Sequence, residues 1–444
     1  MKEYQSWGRV FHYEHKIRPV LWRDSDLRLN ELDAPVLPFG LGRSYGDSCL
    51  NDGGYLLDAR PLNRFISLDR EKGLLRCEAG VSLAEILKLI VPHNWFLSVT
   101  PGTKFITLGG AIANDVHGKN HAYAGTFGAH VTQFELLRSN GDRLLCSPTQ
   151  NTDFFKATIG GLGLTGLILW AEIQLKRIES PFIEEDIIKF DNLDEFFEIA
   201  ADSEEAYEHT VAWINSSATG ASLGKGLFMR GNNAAPPFAE TPHQPSDLQI
   251  TVPFDAPDFV LNKATMRALN ALYYGQQAAK IKHRLAHYES FFYPLDAILQ
   301  WNRGYGKRGF MQYQCIVPYD DNHRAIQQIL EKVAASGLTP SFLNVFKTFG
   351  DYPSPGMLSF PRKGVTLAID FANEGQATLD FQDELDRIVL DSGGTGGYAA
   401  KDARISPAFF RAFYPQMDEF SQYVDPKFSS SFWRRVTGRR ANNQ

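Results

Sequence analysis

Residues 101–131 read PGTKFITLGGAIANDVHGKNHAYAGTFGAHV. Glycine and alanine crowd this stretch, and a polar cluster of Asn114, Asp115, His117, Lys119 and Asn120 sits among them. Small residues let a backbone come close to a flat or charged ligand, and glycine tolerates the dihedrals this needs. A segment so lacking in bulk makes a poor core element, so its peptide N–H groups are read as donors to a bound cofactor. Upstream, residues 38–48 read PFGLGRSYGDS, a second small-residue loop. A dinucleotide fingerprint needs G-x-G-x-x-G opening a helix. Gly40, Gly42 and Gly46 are spaced one residue too long, and the turn-rich DSCLNDGG that follows is not helical. A P-loop fails as well: Gly118-Lys119 is followed by Asn120, and Ala113 stands where the upstream glycine belongs. What remains is a nest of N–H groups suited to a pyrophosphate on another fold.

More motifs follow in order: ATIGGLGLTG at 157–166, WNRGYG at 301–306, QYQ at 312–314, SFLNVFKTFG at 341–350 and YAAKDAR at 398–404. With GLGRSYGD at 40–47 and the 101–131 stretch, this set resembles the flavin-binding half of the vanillyl-alcohol oxidase superfamily. Among its branches it resembles the decaprenylphosphoryl-ribose 2′-oxidases. The similarity is patchy between about 180 and 290 and strong on either side. The resemblance implies FAD as cofactor and an α+β fold, with a two-part FAD domain and a substrate domain on an antiparallel sheet.

Length and composition are those of a globular protein. A chain of 444 residues can bury a large core and holds two domains or subdomains. A net charge of −6 without a dominant basic stripe argues against nucleic acid as partner. The most basic stretch, Trp433 to Arg440, is read as a solvated tail, with contact to anionic lipid as the sharper alternative. Cys49, Cys77, Cys146 and Cys315 form no C-x-x-C pair, and Gly118 sits where a zinc protease motif through His117 and His121 needs glutamate, so no metal is expected. The N-terminal twenty residues lack the apolar core of a signal peptide, and no run of 18 apolar residues occurs. A soluble cytoplasmic protein, or one peripheral to the inner membrane, is expected.

Residues 1–178 read as alternating short strands and helices. Strands are expected at 54–58, 74–78, 134–138, 143–146 and 164–175, and a helix at 83–91 capped by Ser82 and Glu85. From 179 the texture changes: an acidic helix at 193–208, then residues 231–257 with six prolines, read as a long loop. The resemblance implies a mobile flap over the substrate entrance there. An amphipathic helix is expected at 263–287. Residues 399–444 are expected to return to the FAD domain, leaving 179–398 as the substrate domain.

The resemblance assigns roles residue by residue. Phe39, Gly40, Leu41, Gly42, Arg43, Ser44, Tyr45, Gly46, Asp47 and Ser48 would hold the pyrophosphate end of FAD. Gly102, Thr107, Leu108, Gly109, Gly110, Asn114, Asp115, Val116 and His117 would line the cofactor, joined by Ile168 and Tyr398. Relatives that attach FAD covalently through the first loop carry histidine where this chain has Arg43, so the flavin is expected to be non-covalent. Lys401 aligns with the family's active-site lysine, and Tyr45 and His117 complete the catalytic set. A buried lysine can act as a base when its pKa is lowered, or stay charged and stabilise reduced flavin. Lys119, Gln312, Gln314, Lys347 and Phe349 align with the substrate site: lysines for a phosphate, amides for ribose hydroxyls. Trp301 and Phe346 read as core.

There are departures too. Ala368 occupies the place where mycobacterial relatives carry a cysteine beside the flavin. Thr366 replaces an asparagine, and Phe292-Tyr293 replaces Tyr-His. The reading implied is oxidation of the 2′-hydroxyl of a polyprenyl-phosphoryl pentose, with an NAD(P)H-dependent short-chain reductase as partner to complete ribose-to-arabinose epimerisation. An aldonolactone or sugar-alcohol oxidase is the alternative enzyme, and a catalytically idle flavin-binding subunit the alternative from another class.

Overall fold

The structure is a computed structural model that describes residues 4–238, 249–257, 260–319, 323–339 and 341–438. Strands β1 (Lys16–Pro19), β2 (Val36–Phe39) and β3 (Tyr55–Asp58) form a parallel sheet in the order β1-β3-β2. A second, antiparallel sheet contains β4 (Phe65–Asp69), β5 (Leu74–Glu78), β6 (Trp95–Leu97), β7 (Val131–Leu137), β8 (Arg143–Cys146) and β9 (Leu167–Arg177). Its order is β4-β5-β9-β7-β8, with β6 also on β9. The hairpin expected around Ser139 to Asp142 joins β7 to β8 and pairs Leu137 with Arg143.

The helix Leu83–Ile90 illustrates how local sequence sets this half. The Ser82 hydroxyl accepts from the Glu85 N–H, and the Glu85 carboxylate accepts from the Ser82 N–H. This reciprocal cap stabilises the first turn by about 1 kcal/mol. Leu83, Ile86, Leu87 and Ile90 recur at helical spacing and are buried against Leu75, Ile112 and Phe134.

The remaining strands are β10 (Phe182–Phe190), β11 (His209–Ile214), β12 (Gly226–Asn233), β13 (Ile250–Thr251), β14 (Ile281–His287), β15 (Ile298–Leu299), β16 (Phe310–Val317), β17 (Asn344–Phe349) and β18 (Gly364–Ala372). Seven of them make an antiparallel sheet in the order β14-β10-β12-β11-β17-β18-β16, while β13 and β15 pair separately. Period-two alternation splits its faces. Tyr313, Cys315, Leu367, Ile369 and Phe371 pack into one core with Phe196, Ile326, Ile329, Leu385 and Val389, from the helices Leu193–Ser203, Arg324–Ala335 and Gln376–Asp391. Gln312, Gln314, Thr366, Ala368 and Asp370 occupy the alternate positions and line a cavity instead.

Three expectations need correction. The helix expected to reach 287 stops at Gly275, and Ile281–His287 pairs instead with β10 as an edge strand. The helix expected to reach 208 ends at Ser203, because the Tyr207 hydroxyl donates to Asp186 and the Glu208 N–H to Asn232, both on the sheet. Of the expected loop at 231–257, residues 231–233 finish β12 and 250–251 form β13; residues 239–248 lie outside the described residues.

The C-terminal segment packs on the first loop. The Val36 N–H donates to Lys427 O at 2.9 Å, and the Ser429 N–H to Val36 O at 3.0 Å. Arg435, on the helix Ser431–Thr437, grips both oxygens of Asp47 at 2.7 and 3.0 Å and also reaches Asp402 at 3.0 Å.

Candidate active site

Between the antiparallel sheet of the N-terminal half and the open face of the seven-stranded sheet lies a cavity of about 580 Å³. Strand register explains which side chains meet there. Gln312 faces Asp370 and Gln314 faces Ala368 across β16 and β18; Lys347 faces Thr366 across β17 and β18. Trp213 pairs with Val345 next to them.

One wall is the first loop. Phe39, Gly40, Leu41, Gly42, Arg43, Ser44, Tyr45 and Ser48 all line the cavity. The backbone N–H groups of Gly40 to Ser44 have no protein acceptor among the described residues, whereas the Tyr45 N–H donates to Ala400 O at 2.8 Å. Five successive free donors fit an anionic pyrophosphate. The opposite lip carries Gly102, Thr107, Gly109, Gly110, Asn114, Val116 and His117, with Ile168 and Tyr398 nearby. A Cβ at Gly102 would meet no atom within 4 Å, so this position opens straight into the cavity. The walls therefore fit a long ligand with a pyrophosphate and a flat ring.

Five residues assigned to the site do not line it. A Cβ at Gly46 would collide with Asp402 O at 1.8 Å, so this glycine admits the 398–404 segment rather than a ligand. Asp47 is bound by Arg435. Leu108 is fully buried in the core beneath the helix Leu108–Ala113. Asp115 is buried and accepts from the Gly128 N–H and the hydroxyls of Ser354 and Ser359. Phe349 shares the strand face of Lys347, but the rings of His121 and His117 cover it, with centroids 4.2 and 5.0 Å away. Conversely Trp301, read as core, is part of the lining.

The reactive groups cluster at the sheet's open face. Lys401 Nζ sits 3.8 Å from the centre of the Tyr45 ring. Burial pushes its pKa down, and the charge of Asp370 opposes that shift. Asp370 was not singled out in the sequence, although an acid in the apolar run VTLAID is a signal. It is raised by burial, opposed by the Gln312 amide, which donates to it at 2.5 Å, and by Lys401. Tyr305 donates its hydroxyl to the other oxygen at 3.3 Å.

Lys347 Nζ donates to Gly118 O at 2.6 Å and lies 3.1 Å from His117 Nδ1. Burial, with Lys119 and Lys401 adding to it, lowers its pKa to about 7. Lys119 donates to Phe291 O at 2.5 Å, and burial lowers it to about 8. His117 is held neutral, first by burial and then by Lys347. Its Nε2 lies 3.0 Å from the Gln314 amide nitrogen, which also donates to Thr366 Oγ1 at 3.3 Å. Arg43 lies over Trp7, 4.1 Å from the ring centre, and burial lowers its pKa against the pull of Asp296. Asp296, also unforeseen, is fixed by the Thr103 hydroxyl at 2.7 Å and the Lys104 N–H at 2.9 Å. A further part of the lining is apolar: Val211, Trp213, Met229, Tyr273 and Phe342.

Comparison with known proteins gives this cavity its chemistry. Residues 28–147 match the FAD binding domain family. The chain is 38% identical over 419 residues to the decaprenylphosphoryl-β-D-ribose oxidase of Mycolicibacterium smegmatis, covering 90% of this chain and 89% of that protein. It is 30% identical over 377 residues to an uncharacterised protein of Streptomyces coelicolor, covering 80% of this chain and all of that one. The L-gulonolactone oxidase of Mus musculus is 30% identical over 135 residues, 30% of either chain. The N–H groups of Leu108, Gly109 and Gly110, expected as cofactor donors, bond instead to Val81 O, Ala79 O and Thr107 Oγ1. The donor-rich first loop and the likeness along nearly the full length lead to one conclusion: the chain is an FAD-dependent oxidoreductase acting on CH–OH donors, of α+β fold, and belongs to the family of decaprenylphosphoryl-β-D-ribose oxidase.

Proposed function

We propose that this chain oxidises the 2′-hydroxyl of a polyprenyl-phosphoryl ribose to a ketone, the first half of a ribose-to-arabinose epimerisation. The observation that carries this reading is the file of three buried lysines, Lys119, Lys347 and Lys401, along one cavity wall. Lys347, depressed by burial and by the charges of Lys119 and Lys401, is costly to charge there unless an anion joins it. A substrate phosphate between Lys119 and Lys347 supplies that anion. Gln312 and Gln314 stand beside it to bond ribose hydroxyls, and the apolar lining at Trp213 and Tyr273 suits a prenyl chain. The relative from Mycolicibacterium smegmatis, whose name gives that sugar lipid as its substrate, supports the reading.

FAD, when bound, supplies the two-electron acceptor for the hydride that leaves the carbinol carbon. The free N–H groups of residues 40–44 and the open position at Gly102 would hold it. Its attachment is non-covalent in this reading: Arg43 stands at the attachment point of the first loop, and both ring nitrogens of His117 face protein partners. As the C–H bond breaks, Lys401 in its amine form takes the hydroxyl proton. As an ammonium, it would instead balance the negative charge left on the reduced cofactor. Tyr45 packs beneath Lys401 and Asp370 biases its proton. Residues 1–178 and 399–444 serve the cofactor, and 179–398 the substrate. An NAD(P)H-dependent short-chain reductase would reduce the keto product.

The gulonolactone oxidase relatives favour a second reading, oxidation of an aldonolactone. Anaerobic mixing with a short polyprenyl-phosphoryl ribose separates the two. Bleaching of the flavin band supports the sugar-lipid reading. Bleaching only by an aldonolactone or polyol replaces it with the second.

A further inference from the structure

We propose that the outward face of the helix Lys263–Gly275 docks on a bilayer surface that carries anionic lipid. This rests on the sugar-lipid reading above for its purpose, but not for its observations. The helix turns Met266 and Asn270 inward, where both are buried. Its Tyr273 packs edge-on against Trp213 and Phe342, at 4.8 and 5.4 Å between ring centres. The Asn270 amide donates to Ser341 O at 3.0 Å.

The opposite side of a solvent-facing helix ordinarily carries charged and polar residues. Here it carries Ala264, Thr265, Ala268, Ala271 and Leu272, all exposed and none charged. Leu272 is 62% exposed and Leu269, on its flank, 44%. Lys263 and Arg267 border the other flank. An apolar crown edged by long cationic side chains is the pattern of a helix lying in a membrane interface.

Charge points to the same occupant. The chain has a net charge of −6, yet residues 260–288 contain five Lys and Arg and no Asp or Glu. Lys280 and Arg284 pair with Glu195 and Glu185. Lys263, Arg267 and Lys282 have no carboxylate partner among the described residues. Each such cation near an anionic surface adds to binding. Beside Lys282, Ile281 is 44% exposed. A water-facing role explains the cations but not the uncharged crown.

The helix also roofs the apolar part of the cavity. Tyr273, Trp213 and Phe342 line it, as does Val345, which is 39% exposed. A prenyl chain leaving the bilayer under this helix would reach Lys119 and Lys347 without crossing water.

The test is flotation of the FAD-loaded protein with phosphatidylcholine vesicles, with and without phosphatidylglycerol, and no substrate present. The wild type should float with the anionic vesicles only, and salt should release it. The double substitutions Leu269→Glu with Leu272→Glu, and Lys263→Glu with Arg267→Glu, should each weaken flotation roughly tenfold or more. Both variants should keep the flavin spectrum and be reduced at the wild-type rate by a short, water-soluble donor. Turnover of a long-chain donor embedded in vesicles should fall with flotation. A wild type that ignores anionic vesicles overturns the proposal, as does a Leu269→Glu/Leu272→Glu protein that floats normally. A wild-type dimer that these leucine substitutions dissociate also overturns it, by assigning the face to a second copy. If the wild type floats and no sugar lipid bleaches the flavin, docking stands and the substrate reading falls.

Discussion

Lys347 Nζ and His117 Nδ1 lie 3.1 Å apart, so the charge of one fixes the tautomer of the other. The Thr366 hydroxyl donates to Cys315 O at 2.9 Å, which leaves its oxygen to accept from the Gln314 amide. Gln314 then donates to His117 Nε2, and Nδ1–H faces an uncharged Lys347. A phosphate that protonates Lys347 would reverse this order. With a pKa of about 7 in the ligand-free protein, Lys347 is charged below that pH and neutral above it. Affinity for a phosphorylated donor should therefore weaken as pH rises through this range. Lys347→Met should raise the concentration of donor for half-maximal flavin reduction by roughly 10- to 100-fold and leave FAD bound. Unchanged affinity in that variant would remove the phosphate from this position.

Lys401→Met should retain the flavin and lose turnover by about 100-fold or more. The pH profile tells its two roles apart. A base must be neutral, so the wild-type rate would climb with pH through the depressed pKa of Lys401. A charged stabiliser would give the opposite slope. In both cases the limb should vanish in the methionine variant; stopped-flow reduction across pH reads it directly.

Asp370→Asn tests the neighbouring carboxylate. Its negative charge favours the ammonium form of Lys401, so its removal should move that limb to lower pH. The amide also alters the grip on Gln312, and KM should rise with it. A profile that stays in place would reduce Asp370 to a packing residue.

Ala368 puts only a methyl group on the cavity wall. The four cysteines are free; Cys49 lines the cavity, and burial pushes its thiol up to about 12. Thiol-reactive ligands of this site should thus leave the wild type active and label Ala368→Cys, as intact-mass measurement would reveal. Acid precipitation should likewise release the flavin into the supernatant; a yellow pellet would mean a covalent bond.

The strands and the cofactor loops were legible because short motifs carry them. Ser82 with Glu85 marks a helix start, and the glycines of 40–46 and 102–110 mark close approach. Gln312, Gln314 and Ala368 were reached through the family resemblance, and strand register then puts them on one face. Other features depend on partners far along the chain. Nothing local says that Asp47 belongs to Arg435 or that His117 and His121 screen Phe349. Residues 263–287 read as one long helix because Gly275 is the only break in the pattern, whereas pairing with β10 makes a strand of Ile281–His287.

The grip of Arg435 on Asp47 and Asp402 ties cofactor retention to a distant part of the chain. The first loop is anchored by Arg435 from the helix Ser431–Thr437, 388 residues further along the chain. Until that helix packs on the first loop, the cleft lacks the clamp that joins Asp47 to Asp402. Loss of that contact, as in Arg435→Ala, should therefore loosen the first loop and speed the release of flavin, which fluorescence would read.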